Sequence, residues 1–60
     1  MSKLTLQQRL KIKHAKVTLE KLAETLQEIQ DETDGLISST LEEIGISIGF
    51  CIGEIDDNLL

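Results

Sequence analysis

At 60 residues the chain has room for one small domain, and a domain of that size buries only about 60% of the surface its unfolded chain exposes. A single cysteine, Cys51, and a single histidine, His14, exclude an intrachain disulfide framework and a four-ligand zinc site, leaving oligomerisation as the source of extra stability. The apolar content of 40% is enough for a packed structure, while a net charge of −5 and the absence of Trp and Tyr argue against base stacking on single-stranded nucleic acid.

Residues 4–31 are predicted to form the first helix. Leu4, Ile12, Ala15, Leu19, Leu22, Leu26 and Ile29 recur at steps of three and four, and from Ile12 onward the alternation is the a/d spacing of a heptad. Either Ser2, or Thr5 with Gln8 three residues later, can cap its start. The absence of Pro suits long uninterrupted helices. Asp31-Glu32-Thr33-Asp34-Gly35 then breaks the period, Gly35 being suited to a left-handed helix stop. A turn over 32–38 follows, and Ser39-Thr40-Leu41-Glu42 supplies a second capping box. So short a connection makes the flanking helices antiparallel.

The segment from Ile44 to Ile55 fits two periods. As a helix over 39–56, Ile37, Leu41, Ile44, Ile48, Cys51 and Ile55 continue the four–three rhythm. As a strand, Ile44, Ile46, Ile48, Phe50 and Ile52 alternate with small residues. Propensity favours the strand, since Gly45, Gly49 and Gly53 each cost a helix about 1 kcal/mol. Context favours the helix, because a lone strand has no partner in this chain, and the Gly spacing offers a smooth stripe to another helix. The expected fold is therefore all-α: one domain over 1–60, an antiparallel hairpin that dimerises into a four-helix bundle. One long helix followed by a C-terminal β-strand is the alternative. Ile12, Leu19, Leu22, Leu26, Ile44, Ile48 and Cys51 are the expected dimer core.

Charge is segregated along the chain. Lys3, Arg9, Lys11, Lys13, Lys16 and Lys21 all precede residue 22, with Glu20 the only acid among them, and every later charge is acidic. That order opposes the macrodipole of the first helix. It suits either a hairpin, with Glu54, Asp56 and Asp57 beside Lys3, Arg9 and Lys13, or an antiparallel dimer. A phosphate-binding patch built from Arg9, Lys13, Lys16 and Lys21 is the competing reading. The basic residues spread around the helix, however, and the net charge repels nucleic acid.

Leu6, Leu10 and Val17 form a second apolar row opposite the core stripe, and Ile46 and Phe50 stand apart from the Ile48 face. These five are the candidate partner-binding residues, with Phe50 the best single anchor. Cys51 lacks the cationic setting of a reactive thiol, and no base pairs with a nucleophile. The glycines lack the Lys-Ser/Thr of a phosphate loop. No catalytic residues, metal or cofactor are expected.

In length, heptad pattern, core Cys in the second helix and acidic tail, the layout resembles the Rop family of plasmid copy-number regulators. The resemblance implies a bundle of paired hairpins, with RNA-binding residues on the outer face of the first helix. Here Leu6, Leu10 and Val17 occupy that face. The longest apolar run, Ile44 to Gly53, is about half the length of a membrane span, and no signal peptide is apparent. The expectation is a cytoplasmic, non-enzymatic protein that self-associates and binds or inhibits a larger protein, with no membrane contact. Nucleic-acid regulation and peripheral membrane binding are the alternatives.

Overall fold

The computed structural model describes residues 3–60, so the capping role considered for Ser2 lies outside the described residues. The chain is an all-α hairpin of two helices, α1 (Leu6–Asp31) and α2 (Gly35–Asn58), with no strand among the described residues. The first boundary follows from local chemistry. Thr5 is the N-cap: its hydroxyl accepts from the Gln8 N–H at 3.1 Å, and Gln8 Oε1 accepts from the Thr5 N–H at 2.8 Å. Two N–H groups that an unprotected helix start would leave bare are thereby satisfied.

At the other end of α1 the Glu32 N–H donates to Ile29 O at 3.1 Å and the Thr33 N–H to Gln30 O at 3.2 Å. These three-residue bonds tighten the last turn. The Thr33 hydroxyl lies 3.1 Å from Ile29 O, so this half-buried side chain satisfies carbonyls that would otherwise need water. Gly35 has φ +64°, the left-handed backbone that a side chain would strain.

The second helix starts earlier than its sequence suggests. Gly35 is its first residue, and the turn shrinks from 32–38 to the residues between Asp31 and Gly35. The proposed capping box at Ser39–Glu42 is interior, where Thr40 Oγ1 donates to Leu36 O at 2.8 Å. Asp34 takes the N-cap position with extended backbone and no side-chain hydrogen bond. The Ile44–Gly53 segment is helical, which removes the strand alternative.

The hairpin measures 44 × 18 × 11 Å. Its least dimension is one helix diameter, about 10–12 Å. Two helices in a single layer can cover one another only along their seam. On α1 the partly covered residues are Ile12, Lys16, Leu19, Ala23, Leu26 and Gln30, and on α2 they include Ser38, Leu41, Gly45, Ile52 and Ile55. Ile48, 8% exposed, is the one buried residue among those described.

Candidate association faces

The heptad stripe of each helix is split by the seam. On α1, Ile12, Leu19 and Leu26 turn toward α2, whereas Ala15, Leu22 and Ile29 remain exposed. On α2, Leu41, Ile48 and Ile55 turn inward, whereas Ile37, Ile44 and Cys51 remain exposed. Of the seven expected core residues, Ile48 is thus buried, Ile12, Leu19 and Leu26 are half-covered, and Leu22, Ile44 and Cys51 lie open. Within the single hairpin the Cys51 thiol is free and exposed.

The exposed halves of the two stripes belong to one surface. Winding antiparallel right-handed helices at about 100° per residue places Ala15, Leu22, Ile29, Ile37, Ile44 and Cys51 on the same broad side of the slab. Lys16 and Asp56, whose Nζ and Oδ1 are 2.6 Å apart, mark the opposite side. One broad side is therefore apolar, and the other carries the ion pair that ties the helices.

That ion pair differs from the expected ones. Asp56 meets Lys16 rather than Lys3, Arg9 or Lys13, while Arg9 Nη2 donates to Leu60 O at 3.4 Å. Lys16 sits at a seam position, one turn beyond Ile12, so its stem lies against α2 and its ammonium reaches over the edge. The Asp56 hydrogen bond raises the Lys16 pKa above its ordinary value, against the opposing effect of desolvation. The charges of Asp56 and Glu20 add to the rise.

The candidate partner-binding residues occupy two separate faces. Leu6 (75% exposed), Leu10 and Val17 run along the outside of α1, and Ile46 and Phe50 (69% exposed) along the outside of α2. The hairpin lies between them, so they form two separate apolar stripes rather than one. Leu6, Leu10 and Leu60 with Arg9 and Lys13 line a shallow groove of about 350 Å³. Leu36, at the start of α2, is the most exposed large apolar residue among those described, at 83%. Sequence reasoning passed over it by assigning it to the turn.

Of the four candidate nucleic-acid residues, Lys16 is engaged by Asp56, Arg9 and Lys13 stand one turn apart beside the same groove, and Lys21 lies about two turns further along α1. No group of three or more His, Cys, Asp or Glu that could hold a metal occurs among the described residues. By length and composition α2 is long and apolar enough to cross a membrane, a broader apolar extent than the Ile44–Gly53 run suggested. No family model, curated protein or solved structure matches the chain.

Proposed function

We propose that this chain is a non-enzymatic association module: two hairpins pair through their apolar broad sides into a four-helix bundle, whose outer stripes dock and inhibit a larger cytoplasmic protein. The observation that carries this reading is the open half-heptad on one side of the slab, with Leu22 46% exposed and Ile44 42% exposed at its centre. A heptad stripe needs walls on two sides, and α2 supplies α1 with only one. A second hairpin turned over onto the first supplies the other. It removes the exposed sides of Leu22, Ile29, Ile37 and Ile44 from water, at about 25 cal/mol per Å² of apolar surface.

Sedimentation equilibrium tests the pairing. The wild-type chain is expected at about twice its 6.7 kDa mass, and Leu22→Asp or Ile44→Asp should give monomers by burying an unpaired charge at the interface. A wild-type monomer at ~100 µM would overturn the reading. Peripheral association with a membrane has the apolar length of α2 in its favour. It predicts flotation with neutral phosphatidylcholine vesicles, and protein left entirely in the aqueous fraction would dismiss it.

A further inference from the structure

The two outer stripes differ in charge as well as position. Around Leu6, Leu10 and Val17 stand Lys13 and Lys21, whereas around Ile46 and Phe50 stand Glu43, Glu54 and Asp57. None of these charged side chains takes part in an ion pair within the described hairpin, whose one salt bridge is Lys16–Asp56. One edge of the slab is basic and apolar; the opposite edge is acidic and apolar.

Height along the slab matches too. Lys16 meets Asp56 and Arg9 meets Leu60, so the first half of α1 lies level with the second half of α2. A sideways shift of one copy, without rotation, therefore sets the basic edge of one hairpin against the acidic edge of the next. Lys13 comes level with Asp57, and Val17 and Lys21 come level with the Phe50 region. We infer that a second copy of this chain occupies these stripes whenever no larger protein covers them, joined edge to edge in a head-to-tail contact. Because the two sides of this contact are different surfaces related by a shift without rotation, it repeats instead of closing, and bundles add to one another in rows. The inference rests on reading the outer stripes as docking surfaces, and it does not use the bundle face.

Charge also limits the contact. Beyond Lys21 the same shift brings Glu28 of α1 toward Glu43 of the next α2, like charges that repel. The contact is confined to the half of the hairpin away from the turn. At ~150 mM salt the screening length is about 8 Å, which mutes the repulsion between chains of net charge −5 while sparing direct pairs.

Sedimentation velocity of the full chain over ~10 µM to ~1 mM provides the test. The wild type is expected to grow past the dimer as concentration rises. A Lys13→Glu/Lys21→Glu variant and a Glu54→Lys/Asp57→Lys variant should each need about tenfold or more higher concentration to do so, with helical circular dichroism retained. Mixed in equal amounts, the two variants should grow again, because each basic edge then finds an acidic one. Phe50→Ala and Leu10→Ser, which alter no charge, should also weaken growth, and Glu28→Lys should strengthen it. Absence of species beyond the dimer in wild type, or a mixture that stays stalled, would overturn the inference. The docking reading beneath it fails separately, if Leu10→Ser and Phe50→Ala change no association of any kind.

Discussion

Lys16 occupies a seam position that hydrophobic pattern alone would never give to a lysine. In a two-helix layer the seam is only partly desolvated, so a long aliphatic stem can fill the position while its ammonium reaches Asp56 at 2.6 Å. The competing candidates Lys3, Arg9 and Lys13 were equally plausible on sequence, because periodicity does not tell which side of an apolar stripe the next helix will take. With the folded-state pKa raised from 10.5 by the Asp56 hydrogen bond, protonated Lys16 favours the folded state. That contribution is fully present below pH 10.5 and is lost as the pH climbs through the higher folded-state value. Urea midpoints of wild type and Lys16→Met measured from pH 8 to pH 12 should show the effect: the wild type loses stability relative to the variant only at the alkaline end. Parallel curves throughout would mean the pair contributes nothing to folding.

The two helices were readable to different degrees. In α1 the Thr5–Gln8 capping box and the four–three rhythm agree, and the structure realises both. In α2, isoleucines at alternate positions satisfy a period of 2 as fully as one of 3.5, and only the partner helix decides. The early start of α2 was hidden by Gly35, read as a stop for the helix before it. At φ +64° it instead turns the chain sharply enough that α2 begins there. The glycines thus divide into two kinds. A Cβ added at Gly45, Gly49 or Gly53 meets no neighbouring atom within 4 Å, so no helix of this hairpin uses the smooth stripe. Gly49→Ala, at an exposed position, should therefore raise stability by up to about 1 kcal/mol through helix propensity. Gly35→Ala should lower it by about 1–2 kcal/mol through backbone strain, although its Cβ also meets nothing. Thermal melts of the pair give opposite signs if propensity and strain govern. A destabilising Gly49→Ala would place another helix against that position.

For the molecule as a whole, one dimension governs the rest. At 11 Å the hairpin is a single layer, and Ile48 is the one described residue it hides. The heptads announced a set of residues that wish to be buried, and the hairpin meets that demand for one member of each a/d pair. Which member faces α2 and which is left for another layer was not decided by spacing, since both lie in the same narrow arc. Leu22, Ile44 and Cys51, expected inside, are open because a lone pair of helices has no second wall to close over them. Stability drawn from a second wall must depend on how often hairpins meet. For a folded dimer in equilibrium with unfolded chains, each tenfold rise in protein concentration adds about 1.4 kcal/mol of apparent stability. The melting temperature should climb steadily between ~5 µM and ~500 µM chain. In Ile44→Asp, with the bundle face spoiled, it should be lower and independent of concentration. A wild-type melting temperature that stays constant over that range would mean the seam around Ile48 suffices alone, and the open stripe would then need a different partner to explain it.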